Sequence, residues 1–402
     1  MAKKKPVLNV ALVGYSFMGR AHSNAWNQAE KYFDLPYTIN RQVIIGRNQA
    51  ACQDAADNWG WANTASSLEQ ALEKYDIDVV DITVPNVAHA EITMQALKAG
   101  KHVFCEKPLG MNSAECKKVT TAAEKAGVHV GVWHNYRRAP AAGLAYELIA
   151  EGRIGEVRQI RAVYLQDWLS DSSAPASGWR LNKAICGSGS HGDLGAHLID
   201  TCRYLTGLEF DEVSGMTKTF TEVRPNESGK GKVKIDVDDA TCFLARMSNG
   251  AIATFEATRT APGHKNYNVI EINGTKGSII WNFERMNELQ FFTFDDIPHA
   301  QGFRTIMCMD GGNHPYAGQY WPDGHIIGYE HTFINTLADF LVDMKKRKAL
   351  SPSFHDGWAN QEVLDAVLKS ADSRKWVSVK RVMAPRKLKA SKRKAKAAST
   401  IA

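Results

Sequence analysis

The sequence lacks any long hydrophobic run: no apolar stretch approaches the roughly 20 residues that a membrane-spanning helix needs. Lysines at 3–5 precede an apolar stretch from Val7 to Val13, an order that resembles a signal peptide. Asn9 interrupts that stretch, however, and Gly14 follows it with no small-residue cleavage site. A first β-strand is the better interpretation, so we expect a cytoplasmic protein with no membrane partner.

Cysteine is scarce and shows no pattern. The chain has seven cysteines, an odd number, at wide spacings and with no C-x-x-C pair. This usage fits neither a disulfide framework nor a zinc site, and it is typical of reduced thiols in a cytosolic protein. We therefore expect no metal site.

Acidic residues are missing from the end of the chain. From Lys380 onward there are nine basic residues and no acidic one, and without them the net charge falls from +6 to −3. The positive charge thus belongs to the tail, and the body does not resemble a nucleic-acid binder. Residues 384–402, rich in Lys, Ala and Ser, are predicted to form a basic disordered tail.

The first third of the chain alternates short apolar runs with amphipathic segments. Strands are predicted at 7–13, 43–45, 79–83, 102–105 and 128–132, with helical patterns between most of them. This alternation is typical of a doubly wound parallel sheet, so residues 1–138 are predicted to form a Rossmann-type dinucleotide-binding domain.

The pattern changes after about residue 138. Residues 139–383 contain strand-like segments separated by turns, with few helices between them. An α/β domain with an open, mainly antiparallel sheet is predicted, with helices on one face. One helix is expected at about 193–205, and two more at about 329–344 and 358–373.

A glycine-rich turn, GYSFMG at 14–19, directly follows the first strand. Gly14 permits the tight turn, Gly19 lets the next helix pack close to the sheet, and the helix N-terminus offers N–H groups to a pyrophosphate. Ser16 stands where the fingerprint usually has a glycine. We therefore predict that NAD or NADP binds at Gly14, Ser16, Phe17, Met18 and Gly19.

The second strand ends without the acidic residue that usually binds the ribose 2′-hydroxyl. The segment at 44–48 reads IIGRN. Arg47 could pair with the 2′-phosphate of NADP, stack on the adenine of either cofactor, or be an ordinary surface arginine. The physical argument alone favours NADP.

Two further motifs carry acid–base groups. Lys107 follows Glu106 at the carboxyl end of a predicted strand, the edge where open parallel sheets bind ligands. Asp193 and His197 are four residues apart, so they share one face of a helix, and a carboxylate beside a histidine raises its basicity and sets its tautomer. The structural alternatives are a solvated Lys–Glu pair, and a helix-terminal acid with a buried histidine.

Three segments in this order resemble the Gfo/Idh/MocA oxidoreductase family. They are GYSFMGRAH at 14–22, VPNVAHAEITMQALKAGKHVFCEKPL at 84–109 and GDLGAHLIDTCRYLTG at 192–207. The resemblance covers about residues 6–375. It implies a Rossmann domain followed by an α/β domain for substrate binding and oligomerisation, paired across its open sheet into homodimers or homotetramers.

The resemblance also implies roles for individual residues. The family's Glu-Lys-Pro lysine corresponds to Lys107, and its catalytic Asp-x-x-x-His pair corresponds to Asp193 and His197. Its loop near the nicotinamide ribose corresponds to Asn86 and His89. Pro85 and Glu106, beside these residues, complete the predicted cofactor site.

Shorter segments resemble the levoglucosan dehydrogenase-type branch of the family, near the inositol dehydrogenases. They are HNYRRAPA at 134–141, YLQDWLSD at 164–171 and SGWR at 177–180. In that branch a Gly-Arg pair followed by Asn or Asp after the second strand goes with NAD. This opposes the argument from Arg47, and we favour NAD.

We therefore expect an NAD(P)-dependent dehydrogenase that acts on a secondary alcohol of a sugar, anhydrosugar or cyclitol. His197 would take the hydroxyl proton, Lys107 would stabilise the developing alkoxide, and Asp193 would orient His197 or bind a neighbouring hydroxyl. Aromatic and arginine side chains suit a sugar site. The candidates are Tyr136, Arg138, Trp168, Trp179, Arg180, His325 and Tyr329.

Two alternatives use the same sequence features. An NAD-dependent glycoside hydrolase would oxidise its substrate transiently, eliminate the leaving group and turn over without net NADH. A regulatory protein would bind the nucleotide without catalysis, but the intact Lys107, Asp193 and His197 argue against it.

Overall fold

The first sheet is parallel and has six strands. The computed structural model describes residues 4–382, so the predicted tail at 384–402 lies outside the described residues. The strands are β1 (Val7–Val13), β2 (Thr38–Ile45), β3 (Thr64–Ala65), β4 (Val79–Ile82), β5 (His102–Glu106) and β6 (Val130–Trp133). Their order is β3-β2-β1-β4-β5-β6. The strand order reverses between β1 and β4, and ligands of such sheets bind at that point.

Five helices connect these strands. They are α1 (Phe17–Tyr32), α2 (Gln49–Trp59), α3 (Leu68–Lys74), α4 (His89–Lys98) and α5 (Ser113–Ala126). Local sequence sets their ends: at α5, the Asn112 side chain accepts a hydrogen bond from the Glu115 N–H, and Gly127 ends the helix with a φ of 65°. The predicted bounds of β1 agree with the structure.

The second sheet has nine strands in the order β16-β15-β14-β13-β7-β12-β11-β8-β17, and a separate hairpin pairs β9 with β10. The strands are β7 (Val157–Leu165), β8 (Phe210–Lys218), β9 (Val223–Pro225), β10 (Lys232–Lys234), β11 (Ala240–Met247), β12 (Ile252–Thr258), β13 (Tyr267–Gly274), β14 (Gly277–Asn282), β15 (Glu288–Thr293), β16 (Arg304–Met307) and β17 (Val377–Ser378). Only β7 and β12 pair in parallel among the described strands of this sheet. The predicted fold class is confirmed: a doubly wound parallel sheet, then an α/β unit with a mainly antiparallel sheet.

The remaining helices are α6 (Pro140–Ala150), α7 (Lys183–Cys186), α8 (Ala196–Thr206), α9 (Tyr329–Lys345) and α10 (Phe354–Ser373). Buried side chains of α6, α8 and α10 share one core with the second sheet. The strands alternate accordingly: in β11, Phe243 and Ala245 are buried, whereas Cys242 and Leu244 are exposed.

One helix departs from the predicted arrangement. Sequence analysis placed α9 on the antiparallel sheet, but its Phe333 and Phe340 lie in one core with Leu8, Trp26 and Trp133 of the parallel unit. An apolar stripe shows that a helix packs on something and does not show on which sheet. The domain boundary at residue 138 remains a prediction. Although α9 follows that boundary in the sequence, it packs on the unit that precedes it.

Between residues 4 and 382, no helix is both long enough and apolar enough to cross a membrane. All seven cysteines are free, and all but Cys242 are buried. Across the same residues, no group of three or more His, Cys, Asp or Glu side chains could hold a metal ion.

A buried ion pair joins the two units. Arg137, in the turn after β6, donates from Nε to Asp200 Oδ2 at 2.7 Å and from Nη2 to Asp200 Oδ1 at 2.5 Å. Its Nη2 also lies 3.2 Å from Asp356 Oδ1 at the start of α10. The Arg137 and Asp200 side chains are only 4% and 2% exposed. Removing one charge would leave the other buried, which is costly.

We predict that Asp200→Asn lowers the free energy of unfolding by about 3 kcal/mol, because it leaves Arg137 short of a buried counter-charge. Urea denaturation measures the change. Glu212→Gln is the matched control, since its pair with Arg246 is largely exposed, and it should cost less than about 1 kcal/mol. Equal effects of the two substitutions would contradict this account of the domain junction.

Candidate active site

The glycine turn brings α1 close to the sheet at the point where the strand order reverses. Gly14 has a φ of 111°, and a Cβ there would lie 2.6 Å from Thr83 Oγ1. A Cβ on Gly19 would lie 2.4 Å from the Gly14 carbonyl oxygen. Both contacts are too short for any side chain, so this close approach requires glycine at both positions.

The first turn of α1 is open to an anion. Ser16 stands at the N-cap, but its side chain makes no capping hydrogen bond. The N–H groups of Phe17, Met18 and Gly19 begin the helix without a side-chain acceptor from the cap, the arrangement that suits a pyrophosphate. Phe17 is 63% exposed, and its ring lies parallel to that of Tyr329, with centroids 6.4 Å apart. The turn therefore fits a dinucleotide.

Arg47 lies on the surface after β2, where Asn48 caps α2. Its guanidinium has no ion-pair partner among residues 4–382. This geometry is compatible with each of the three roles left open for Arg47, so its contact with a cofactor stays a prediction.

The predicted cofactor residues after β4 contact the protein itself. Asn86 Nδ2 donates to the Cys186 carbonyl oxygen at the end of α7, at 2.9 Å. The His89 ring nitrogens lie 2.7 Å from the Pro108 carbonyl oxygen and 2.8 Å from that of Val84. Pro85, directly before them, is half-buried. The Asn86 and His89 side chains thus hold neighbouring loops together through hydrogen bonds. Their direct contact with a cofactor, and that of Pro85, remains a prediction.

Glu106 is turned into the protein. One carboxylate oxygen, Oε2, accepts the backbone N–H of Lys107 at 3.0 Å, and the other, Oε1, lies 3.0 Å from His22 Nε2. Glu106 is 5% exposed. It thus holds the strand end that carries Lys107, and its predicted contact with the cofactor stays a prediction.

The structure brings Lys107 and Asp193 together although they are 86 residues apart. Lys107 Nζ donates to Asp193 Oδ1 at 3.0 Å and to the Asp193 backbone carbonyl at 2.8 Å. Asp193 Oδ2 lies 3.1 Å from Arg259 Nη2 and 3.7 Å from Arg180 Nε. The solvated Lys–Glu alternative is therefore wrong, because Lys107 pairs across the junction with Asp193.

Three cations surround this single carboxylate. Burial alone would raise the pKa of Asp193, but Lys107, Arg259 and Arg180 hold that pKa far below its usual range. The carboxylate stays ionised near neutral pH. One negative charge among three positive ones leaves the cluster with an excess of positive charge.

His197 lies beside the cluster without being bonded to it. Residues His191–Gly195 form a π-helical turn that continues into α8. The Asp193 carboxylate is bonded to Lys107 and Arg259 and makes no hydrogen bond to His197, so the structure does not show the orienting contact expected of Asp193. The other expected role, that Asp193 binds a neighbouring substrate hydroxyl, stays a prediction. The wider π turn changes the angular relation that a regular helix gives residues four apart. His197 stacks on Tyr136 instead, with ring centroids 4.3 Å apart.

Burial and the positive charge of Lys107 lower the pKa of His197 well below 6.5. Its imidazole is therefore neutral near pH 7 and able to accept a proton. Within the described part of the chain, no side chain or backbone group occupies its ring nitrogens with a hydrogen bond.

The predicted sugar-site residues divide into two groups. Tyr136 and Tyr329 approach each other at 6.4 Å beside His197, and Arg180 reaches Asp193 while stacking on Trp179 at 4.5 Å. Trp168 joins this side through Arg259, which lies 5.2 Å from its ring centroid.

Arg138 and His325 are not brought to the cluster. Arg138 is 7% exposed, and its Nε pairs with Asp339 Oδ2 at 2.7 Å while Nη2 donates to the Ser351 carbonyl. His325 is exposed and lies 3.0 Å from the Pro322 carbonyl oxygen. The prediction that Arg138 faces the sugar is corrected by these buried contacts.

Sequence reasoning missed several supporting residues. Arg259 is fully buried and clamps Asp193 and the Gly189 carbonyl. Asp238 accepts hydrogen bonds from the Gly189 and His191 N–H groups, at 2.6 and 2.7 Å, and so holds the glycine-rich loop before α8. From sequence alone, a charged residue near a strand end is expected to be exposed to solvent. The buried hydrogen bonds of Arg259 and Asp238 appear only in the folded structure.

Sequence analysis also missed a chain of hydrogen bonds beside His197 that runs through two tyrosine hydroxyls. Tyr136 and Tyr164 share a hydrogen bond of 3.0 Å, and the Tyr164 hydroxyl donates to Asn266 Oδ1 at 2.7 Å. Burial raises the pKa of both phenols, so they remain neutral.

Comparison with known proteins agrees with this arrangement. Residues 8–134 match the model of an oxidoreductase family with an NAD-binding Rossmann fold, and residues 144–280 match the GFO/IDH/MocA C-terminal domain. Levoglucosan dehydrogenase from Pseudarthrobacter phenanthrenivorans is 40% identical over 391 residues, covering 94% of this chain and 99% of the relative. The chain belongs to the Gfo/Idh/MocA oxidoreductase family. The family resemblance drawn from the three motifs is confirmed.

Solved structures of family members are similar throughout. An oxidoreductase domain protein from Kribbella flavida has a TM-score of 0.91 and 44% identity, covering 94% of this chain and all of that one. Levoglucosan dehydrogenase in complex with NADH and levoglucosan has a TM-score of 0.89 and 41% identity, covering 93% of this chain and 99% of the other. Its complex with NADH and L-sorbose has a TM-score of 0.90 and 40% identity, covering 94% of this chain and 100% of the other.

We predict that Lys107→Ala lowers kcat by about 10²-fold, since it removes the cation that faces a developing alkoxide. Asp193 keeps Arg259 and Arg180 as counter-ions, so the fold and NAD affinity should change little. Steady-state kinetics and NAD titration measure the two quantities. The control is Lys118→Ala on the exposed side of α5, and a kcat near the wild-type value in Lys107→Ala would remove this lysine from the chemistry.

Proposed function

We propose that this protein is an NAD-dependent dehydrogenase that oxidises a secondary alcohol of a neutral sugar or anhydrosugar. The observation that carries the proposal is the cluster of Lys107, Asp193 and His197 at the edge of the sheet where the glycine turn opens. Similarity over nearly the whole chain to levoglucosan dehydrogenase, solved with NADH and levoglucosan, supports the substrate class.

The charges of the site suit alcohol oxidation. A neutral His197 takes the hydroxyl proton, and Lys107 faces the oxygen that becomes negative. Arg259 and Arg180 share Asp193, so its single charge does not neutralise Lys107 alone. Bound NAD supplies the hydride acceptor. The protein therefore stabilises an alkoxide beside a group that accepts its proton.

The walls of the site suit a sugar. The half-buried Tyr329 ring can offer an apolar face to C–H groups, whereas the Tyr136 ring stacks on His197 and Phe283 and supports them from within the core. Arg180, Trp179 and Trp168 are more exposed than Tyr136. Lys107 and Arg180 are the partly exposed cations of the Asp193 cluster, and their N–H groups can donate hydrogen bonds to hydroxyl oxygens.

We assign NAD rather than NADP as the cofactor. The exposed position of Arg47 does not decide between them, but the levoglucosan dehydrogenase structures contain NADH. If Arg47 only stacks on the adenine or makes no contact with the cofactor, its removal should change the KM for NAD and the KM for NADP only slightly.

A spectrophotometric screen tests the function. Levoglucosan, other neutral sugars and cyclitols are offered with NAD and with NADP, and reduced cofactor is followed by its absorbance. We expect reduction of NAD with levoglucosan or a related sugar. Absence of reduction with every substrate, or glycoside cleavage without net NADH, would overturn the proposal in favour of a binding protein or a hydrolase.

The same screen tests Arg47. We predict that Arg47→Ala changes the KM for NAD by less than about threefold, as expected of an exposed side chain with no ion-pair partner. A selective rise of the NADP KM in this variant, in an enzyme that prefers NADP, would show instead that Arg47 binds the 2′-phosphate. The control Arg158→Ala alters an exposed arginine of β7.

We also propose that two copies pair across the open face of the second sheet. Among the described residues, helices cover one face, and on the other Met216, Leu244 and Ile252 are 70%, 50% and 56% exposed on neighbouring strands. Large apolar side chains exposed on neighbouring strands support the proposal that this face is a protein interface. The proposal extends to a homotetramer built from two such dimers and to a cytoplasmic enzyme, which fits its free cysteines.

Leu244→Glu is predicted to convert this assembly to a smaller species, because a charge at the centre of the interface must be desolvated. Light scattering after size-exclusion chromatography measures the mass. Val7→Glu, also at an exposed apolar position but in the first sheet, is the control. An unchanged mass for Leu244→Glu would place any interface elsewhere.

A further inference from the structure

A histidine outside the reacting cluster lies buried between two carboxylates. His22, on α1, is 0% exposed. Its Nδ1 lies 3.0 Å from Asp81 Oδ2, and its Nε2 lies 3.0 Å from Glu106 Oε1. Asp81 belongs to β4 and Glu106 is the last residue of β5. The imidazole therefore connects the helix of the glycine turn with the two neighbouring strands at the site.

Hydrogen-bond chemistry sets the protonation of this bridge. An ionised carboxylate only accepts hydrogen bonds, so both ring nitrogens of His22 must carry hydrogen if both contacts are hydrogen bonds. The remaining carboxylate capacity is used by other donors: Trp26 Nε1 and Trp133 Nε1 donate to Asp81 at 2.7 and 2.9 Å. Such a fully partnered buried network is rigid.

The two carboxylates beside His22 favour its charged form. The ionisable groups that face it within residues 4–382 are Asp81 of β4 and Glu106 of β5, whereas β6 and α9 contribute the rings of Trp133 and Phe333. Burial alone would lower the pKa of His22, but the two carboxylates raise it to about 9.

The bridge ends at Lys107. Glu106 uses one oxygen for His22 and the other for the Lys107 backbone N–H, at 3.0 Å each. The direction in which the Lys107 side chain leaves the strand therefore depends on how the Glu106 carboxylate is held. Lys107 Nζ then reaches Asp193 Oδ1 at 3.0 Å, and a small rotation at its base would break this contact.

We propose that His22 is a positioning residue: as an imidazolium bonded to Asp81 and Glu106, it fixes the strand end from which Lys107 reaches Asp193 and the substrate oxygen. His22 touches neither the substrate nor the reacting atoms. This inference rests on the proposed dehydrogenase reaction for its kinetic consequences, whereas the double protonation of the ring is a property of the protein alone.

The kinetic arm compares His22→Gln, Glu106→Gln and the double variant. A glutamine at 22 carries no charge and cannot bridge both carboxylates. We expect kcat to fall by about 10-fold or more in each single variant, with the KM for NAD changed by less than about threefold. The double variant should be no slower than the slower single variant, because both break the same link. His299→Gln, at an exposed histidine, is the control.

A stability arm separates positioning from mere packing. A histidine whose pKa is raised on folding stabilises the protein fully below its unfolded pKa of 6.5, and this contribution is lost as the pH rises through about 9. The urea midpoint of the wild type should therefore fall between pH 6.5 and 9.5 by more than that of His22→Gln. If His22 has a purely structural role, this pH dependence should appear, but kcat measured where both proteins are fully folded should be unchanged in His22→Gln. That result would overturn the proposal.

The protonation arm uses the wild-type holoenzyme and does not depend on the substrate. Nitrogen NMR of histidine-labelled protein, assigned with His22→Gln, should show both ring nitrogens of His22 protonated at pH 7.5. A bare nitrogen at that pH, or a near-normal kcat in a folded His22→Gln, would overturn the proposal; if that variant does not fold, Glu106→Gln gives the kinetic result. If the wild type oxidises no sugar, the proposed function fails, and the NMR result still decides the state of His22.

Discussion

The carboxylate of Asp193 is the point on which the rest of the site depends. It is bonded to Lys107 of the parallel unit and to Arg259, the residue after β12, so it joins the two halves of the molecule at the proposed reaction site. Charge-assisted hydrogen bonds of this kind are short and directional, so they position the groups they join. The lysine is thereby fixed without being neutralised, since three cations share one anion.

Burial and that charge balance keep His197 in its neutral form near pH 7, the only form of the imidazole that can accept a proton. The same cations that stabilise a developing alkoxide disfavour an imidazolium nearby, and burial acts in the same direction. His197 is therefore neutral, and Tyr136 holds its ring by stacking rather than Asp193 by hydrogen bonding. Environment shifts the pKa values of two buried histidines in opposite directions: the carboxylates of Asp81 and Glu106 raise that of His22, whereas burial and Lys107 lower that of His197.

Much of this could be predicted from the sequence, and the failures have physical reasons. The glycine turn, the parallel sheet and the meeting of Lys107, Asp193 and His197 follow from local patterns or from the family motifs. The position of α9 could not be predicted, because an apolar stripe on a helix does not indicate which sheet the helix packs on. Arg259 was missed because sequence does not distinguish a buried arginine from an exposed one. Arg138 was misassigned because its partner, Asp339, is distant in the sequence. The π-helical turn before α8, at His191–Gly195, was missed because no composition signals it.

The central claim is that a neutral His197, held among cations, accepts the substrate proton. The pH dependence of kcat/KM for sugar oxidation tests it most directly, because this ratio reports the ionisation of the free enzyme. A base whose pKa is lowered below 6.5 keeps the reaction active as the pH falls to that value, and activity is lost only below it. The account therefore predicts an acidic limb with its midpoint below pH 6.5, absent from His197→Ala. An acidic limb centred above pH 7, or one unchanged in that variant, would contradict it.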